Sequence, residues 1–316
     1  MRYLTGLLFG IVILLFPFFV QSNYWMYMFT LAGIYIILVV SLDLLYGYTG
    51  LASLGHGAFF GIGAYACGIL QVKVGMSFMP ALLIGTVFTC CVSAVMGWPM
   101  LRIKGPYFAL GTLALGLMVT IVLHNWDSLT GGVSLSGIPL PPVIHLPGWS
   151  IDLSSKRTFY YLIFILVFLT IFLVRRLTRS RVGRAFQSIR ENEDLAEALG
   201  VNTLKYKLLS FVIASTIAGV AGGLYACYMG SIEPEIAGGH MSFELLVMIV
   251  VGGARTIAGE VVGPFLIWFL PEFLEAAQVF RPLFYGFILL VVILLMPMGI
   301  AGKLRALHPR IAQWIP

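Results

Sequence analysis

The chain has 316 residues, 60% of them hydrophobic and only 10% charged, with a formal net charge of +6 and a mean hydropathy of +0.99. A soluble domain carries about 25% charged residues, so one globular core cannot hide this much apolar surface; the expected fold class is all-α, a polytopic membrane helix bundle. The positive balance reads as basic residues kept on the cytoplasmic side of a lipid bilayer, and without a dense basic-aromatic patch no nucleic-acid partner is expected.

Crossing the hydrocarbon takes about 20 apolar residues as a helix. About ten candidate spans follow along the chain, at 4–20, 26–45, 50–72, 79–101, 105–124, 158–175, 208–230, 242–254, 259–277 and 283–300, with a tail at 303–316. Leu4–Val20 has the look of a signal-peptide core, but membrane character continues behind it, so it reads as a first span that stays in place. With the N-terminus inside and each span crossing once, only Lys73, Lys156, Arg157 and Arg281 of the 19 Lys and Arg fall outside. The opposite orientation would invert this bias. Residues 1–316 therefore read as one transmembrane domain with both termini cytoplasmic, 125–157 as an extracytoplasmic loop and 175–207 as a cytoplasmic one.

Some spans are not plain apolar cylinders. The third carries Gly50, Gly55, Gly57, Gly61, Gly63 and Gly68, and its small residues allow close helix approach. The eighth and ninth are short and are joined by VGGARTIAGEVVGP, where Gly252, Gly253, Gly259, Gly263 and Pro264 interrupt the run. Irregular backbone at membrane depth is tolerated only where protein or a water-filled cavity surrounds it. The third and eighth spans hold the same place in two sets of five, so an inverted five-plus-five repeat is a hypothesis for this chain. Between them the outer loop brings Trp126, Trp149 and a run of Pro and Gly. It reads as ordered but irregular, either capping the bundle or meeting an external protein.

The cytoplasmic segment RRLTRSRVGRAFQSIRENEDLAEALGVNTLKYK is the one long polar stretch. Its first helical piece follows Ser180 as N-cap and puts Val182, Ala185, Phe186 and Ile189 on one face. The second starts after Asn192, with Glu193 and Asp194 in its first turn, Leu195, Ala198 and Leu199 as an apolar stripe, and Gly200 at the left-handed C-cap position. A helix this short needs a surface to lie on. That surface is either the chain's own bundle or a soluble partner. Arg184, Arg190, Glu193, Asp194 and Glu197 decorate it, and the solvated-face reading competes with a docking one.

Single residues are weighed in the same way. His56 reads as a proton relay or substrate contact, or as a neutral His bonded to a backbone carbonyl, and the second is favoured. Asp43 is expected at the interface. Glu244, Glu260, Glu272 and Glu275 are expected near water and are not paired into an acid/base site. Cys67, Cys90, Cys91 and Cys227 read as small buried hydrophobes, and His124, His145, His240 and His308 are too scattered to predict a metal site. There is no HExxH, GxSxG or GxxxxGK[ST], so the chain is not expected to be an enzyme or to hydrolyse ATP, and no cofactor is expected.

Five stretches resemble the permease subunits of ATP-binding-cassette importers, specifically the branched-chain amino acid, LivM-like type. They are SLGHGAFFGIGAY (Ser53–Tyr65), GPYFALGTLA (Gly105–Ala114), LTGG followed by SGIP (Leu129–Pro139), GRAFQSIRENEDLAEALGV (Gly183–Val201) and VGGARTIAGEVVGP (Val251–Pro264). The resemblance runs from about Ile37 to Gly302. It implies that Asp194-Leu195-Ala196-Glu197-Ala198-Leu199-Gly200 stands for the family's degenerate E-A-A-x-x-x-G pattern, with Leu195 in place of the first Ala, and docks on a cytoplasmic ATPase. Arg184, Arg190, Glu193, Asp194, Leu195, Ala196 and Gly200 are then the coupling residues. Ser53, His56 and Tyr107 are candidates to line the transport path, and Thr130, Gly131 and Gly132 to face a substrate-binding protein. The implied partners are a second, LivH-like permease, two ATPase subunits and an extracytoplasmic binding protein, and the implied mechanism is alternating access. Ser134-Leu135 stands where the family usually shows Gly-Leu before SGIP, which leaves urea, amides and other amino acids as alternative substrates. An ion-coupled secondary carrier, using His56 and the carboxylates at span ends, and a membrane-embedded enzyme are the rival readings. The absence of paired intramembrane acids in the sequence reading argues against the carrier.

Overall fold

A computed structural model describes residues 22–273 except 104, 142, 147 and 148, together with the isolated positions 17, 286, 290 and 299. The expected spans 4–20 and 283–300 and the tail lie outside the described residues. Helix α1 (Asn23–Asp43) runs without interruption into a π-helical turn, Leu44–Thr49. Then come α2 (His56–Val72), α3 (Phe78–Met100), α4 (Pro106–Asn125) and the short α5 (Asp127–Thr130). Strands β1 (Leu135–Ser136), β2 (Val143–Leu146) and β3 (Trp149–Asp152) lead to α6 (Lys156–Thr178). Helices α7 (Arg181–Glu191) and α8 (Glu193–Ala198) precede α9 (Thr203–Met229). Strand β4 (Ser231–Ile232) and a 3₁₀ turn (Pro234–Ala237) precede α10 (Gly239–Gly252) and α11 (Ile257–Phe273).

Among the described residues five helices are long and apolar enough to cross a membrane: Asn23–Thr49, Phe78–Met100, Pro106–Asn125, Lys156–Thr178 and Thr203–Met229. His56–Val72 and Gly239–Gly252 are apolar but shorter. Two expected starts move, in opposite directions, each for a local reason. The span expected at 50–72 begins only at His56, because 50–55 is non-helical. The span expected at 208–230 begins at Thr203, because the Asn202 side chain accepts from Lys205 N and caps an extra turn.

The centre of the bundle is α1, whose apolar stretch is 94% buried, whereas α3 and α4 are 28% buried and form the periphery. Helix α9 packs along α2 and α3 and touches α1, which carries α6, α10 and α11 around it. In an apolar solvent helices are held by close packing rather than by expulsion of water, and the α2–α9 crossing shows how close. A Cβ on Gly63 would stand 2.2 Å from Gly219 O, and one on Gly222 would stand 2.0 Å from Phe60 O. Gly57 and Gly61 also mark a close approach, as expected, and their neighbour is the turn at Ala237 and Gly238.

The two ends of the bundle differ. At one end the π-turn, α7 and the turn between α10 and α11 meet. At the other, β1 pairs antiparallel with β4 (Leu135↔Ile232, Ser136↔Ser231) and Ile138 N donates to Gly230 O. The 125–157 loop is thereby fastened down: Leu135 and Ile138 are buried, and β2 and β3 form a separate hairpin. It caps the bundle.

Candidate functional site

The polar loop is built from consecutive caps, each satisfying backbone N–H groups that a helix start leaves open. Ser180 Oγ accepts from Val182 N and Gly183 N, and Asn192 Oδ1 accepts from Leu195 N at 2.9 Å. Helix α8 closes with a paired C-terminal motif around Gly200, whose φ of +86° suits glycine. Gly200 N donates to Glu197 O and Val201 N to Ala196 O. Phe186 and Ile189 of α7 are buried under the bundle, with Phe186 edge-on to Tyr206 of α9. Arg184 and Arg190 lie on its exposed side.

Helix α8 is held from one side only. Ala196 is buried, and Glu193 forms an ion pair with Lys207 of α9, whose side chain is only 5% exposed. Leu195 and Leu199 turn the other way and are 58% and 77% exposed. The apolar stripe expected on this helix therefore does not pack under its own bundle. Asp194 is exposed beside it.

The three residues expected along a path are not gathered about one cavity. Ser53 is buried, and its Oγ accepts from Gly55 N. His56 is buried too, but its partner is the Ser41 hydroxyl at 2.7 Å rather than a backbone carbonyl. Ser41 Oγ also donates to Leu38 O. Tyr107, in the first turn of α4, is 70% exposed. A cleft of ≈490 Å³ opens elsewhere, between α2, α3 and α4, with aliphatic and aromatic walls that include Ile62, Tyr65, Phe88 and Val119.

The candidates at 130–132 build a turn. Thr130 is buried, and its Oγ1 reaches Leu123 O and Trp126 O. Gly131 and Gly132 both have positive φ. Gly131 is exposed, Gly132 buried, and the exposed apolar side chains nearby are Val133 and Leu140.

Two features escape a reading of the sequence. Asp43 is completely buried, not interfacial, and its Oδ2 accepts from Arg255 N at 2.9 Å. Glu260 is 5% exposed, and its carboxyl and that of Asp43 interact electrostatically. The chain thus does hold a paired set of acids, contrary to expectation. Glu244 sits half-buried 3.7 Å from His240, while the side chains of Glu272 and Glu275 fall outside the described residues. Cys67 and Cys227 are buried as expected and share the Gln71 amide as donor, but Cys91 is exposed. A charge stranded in an apolar run needs a partner; that was the available signal for Asp43, Glu260 and Lys207.

A family profile described as "Branched-chain amino acid transport system / permease component" matches residues 24–296. The chain belongs to that permease family. The high-affinity branched-chain amino acid transport system permease protein LivM of Escherichia coli (strain K12) is 32% identical over 295 residues, covering 87% of this chain and 69% of the relative. LivH of the same strain is 28% identical over 87% of this chain and 93% of its own length. A probable LivM of Methanocaldococcus jannaschii is 23% identical over 73% of this chain and 75% of its own. No solved structure matches. Membership of a transport permease family fits a chain whose built features are caps, clefts and packing surfaces. The chain is thus similar to relatives of both the LivM and the LivH name.

Proposed function

We propose that this chain is the transmembrane permease subunit of an ATP-driven, binding-protein-dependent importer of branched-chain amino acids. It works beside a second, LivH-like permease, two cytoplasmic ATPase subunits and an extracytoplasmic binding protein. The observation that carries the reading, beyond family membership, is the pair Leu195 and Leu199. A six-residue helix clamped through Glu193 and Ala196 exposes its two largest apolar side chains. Such a surface fits a groove on a protein. ATP-driven closure of the ATPases pulls on α8, and the permease converts that pull into alternating access. The sequence carries no phosphate-binding GxxxxGK[ST] loop, so ATP chemistry belongs to the partners.

The same reading places the loop 175–207 in the cytoplasm, the loop 125–157 outside with Val133 and Leu140 toward the binding protein, and both termini inside an inner membrane. It keeps ten spans and an inverted five-plus-five repeat. Supporting the repeat, α2 and α10 are both short, and Gly57 N donates to Ser242 Oγ at 2.8 Å where their starts meet.

The test is uptake in proteoliposomes holding both permeases and the ATPases. Labelled leucine should accumulate only with ATP and binding protein, and unlabelled valine or isoleucine should compete where urea and amides do not. Competition by urea or amides would move the substrate to those relatives. The buried Asp43–Glu260 pair favours one second reading, an ion-coupled carrier. Uptake that follows an imposed proton or sodium gradient and ignores ATP would establish it in place of the first.

A further inference from the structure

The end of the bundle that carries the 175–207 loop has an opening that the importer reading does not use. A groove of ≈610 Å³ lies between α3, α6 and α9. Its walls include Leu173 and Leu177 of α6, Val212 and Ile217 of α9 and Cys90 of α3. The hydroxyls on these walls are spent inside their own segments. Thr216 Oγ1 donates to Val212 O at 2.7 Å, and Ser180 Oγ donates to Leu177 O at 2.7 Å and caps α7. What remains is a length of apolar wall and one cation, Arg176, in the last turn of α6.

Arg176 has company at that end. Arg179 lies three residues on, a neighbour on the helix surface, and Arg181 lies just past Ser180; all three arginines are exposed. Among the described residues none of the three has an ion-pair partner. The apolar wall runs away from them. Helix α9 starts at Thr203, so Val212 and Ile217 stand about 14 and 21 Å along it at 1.5 Å per residue. Charge at one end and hydrocarbon along the rest is the pattern of a phospholipid, whose phosphate sits at the membrane surface with its chains toward the midplane. A helix of a neighbouring subunit would have to bring acids to that one level. Guanidinium pairs with phosphate through two parallel hydrogen bonds, and basic pockets between membrane helices hold anionic head groups.

We propose that the groove between α3, α6 and α9 binds one anionic phospholipid from the leaflet at the loop's end, with its phosphate on Arg176 and an acyl chain along Leu177, Val212 and Ile217. Such a lipid touches three segments at once: the end of α6, Ser180 at the start of α7 and the flank of α9. It pins the root of the polar loop against the bundle. The inference needs only that the chain is a membrane permease, and it stands whether or not ATP drives the import.

The experiment uses the permease with its co-purifying subunits in detergent micelles. The probe is phosphatidylglycerol carrying a diazirine in its acyl chain, and peptide mass spectrometry locates the photoproduct. Label should concentrate in 173–177 and 212–217. Unlabelled phosphatidylglycerol should displace it at a concentration at least about fivefold lower than phosphatidylcholine with the same chains, the effect of one basic residue near an anionic head group. Arg176→Gln, at an exposed side chain, should abolish that preference while the subunits still co-purify. Lys205→Gln removes an exposed cation from the first turn of α9, outside the groove, and should leave labelling unchanged. Should Arg176→Gln fail to assemble, the wild-type competition decides. Equal displacement by the two lipids, a wild-type preference in Arg176→Gln, equal losses in the two variants, or label spread along the exposed faces of α3 and α4 would overturn the site. Label that appears in the permease alone and vanishes in the complex would overturn it too, because a partner subunit then covers the groove.

Discussion

Replacing Glu193 by Gln should destabilise the permease far more than replacing its partner Lys207 by Met. The Lys207 side chain is 5% exposed and that of Glu193 is 28% exposed. Removing one partner of a buried pair and stranding the other costs about 3–5 kcal/mol. Glu193 keeps contact with water, which screens the pair, so the lower end applies, about 3 kcal/mol or roughly a hundredfold in the folded-to-unfolded ratio. In Lys207→Met the buried site gains an apolar chain of similar length and the stranded group is the wetter carboxylate, so the cost should stay below about 1 kcal/mol. The double variant should resemble Lys207→Met alone, giving a coupling energy of about 2–3 kcal/mol, at the upper end for interacting neighbours. SDS-induced unfolding in mixed micelles, followed by tryptophan fluorescence, measures all four proteins. Equal losses in the two single variants, or additive losses in the double, would show that the pair is too well solvated to anchor α8.

Other consequences can be checked in the same preparations. Leu199→Asp, at a side chain 77% exposed, should leave the unfolding midpoint within about 0.5 kcal/mol, as surface changes do, yet reduce co-purification of the ATPases. Gly200→Val forces a β-branched residue to a φ of +86°, costs about 1–3 kcal/mol, and should weaken ATPase binding by fraying α8. Gly222→Ala puts a methyl 2.0 Å from Phe60 O; overpacking of about 1–3 kcal/mol should appear as a lower unfolding midpoint, with α2 and α9 the first pair to separate in cysteine-accessibility measurements.

What could be read from the sequence was what is local. Ser180, Asn192 and Gly200 were identifiable because a cap is decided within four residues, and each cap forms as its chemistry requires. The close packing at Gly57 and Gly61 was readable because small residues in a span have few other uses. The direction of the Leu195–Leu199 stripe was not. Periodicity shows that a helix has an apolar face, but what covers that face depends on where α9 and Lys207 stand. The acid pair was the least accessible feature. Arg255 N and Asp43 are 212 positions apart, and nothing near Asp43 shows that its partner lies just beyond α10. The same limit hid the partner of His56, whose bond to Ser41 in place of a backbone carbonyl crosses from α2 to α1 and has no local signature. Tyr107 became a path candidate through its neighbours in a motif, and the fold leaves its side chain exposed.

The loop and α9 together raise a question of reach. Helix α9 has 27 residues, about 40 Å at 1.5 Å per residue, so its two ends lie on opposite sides of the bundle. Its second turn is gripped by Glu193 through Lys207, and its far end passes through Gly230 into β4, which pairs with β1 of the 125–157 loop. If α9 is a rigid rod, a pull on α8 arrives at the outer loop without loss, and β1 and β4 travel together. Ser136 and Ser231 stand directly opposite in that pairing, at the separation antiparallel partners hold and disulfides accept. The double variant S136C/S231C, with the exposed native Cys91 changed to Ala, should therefore oxidise readily and import leucine equally well before and after oxidation. A block on oxidation, relieved by reductant, would mean that the outer loop must peel away from α9 during the cycle, and that the rod ends at Gly230.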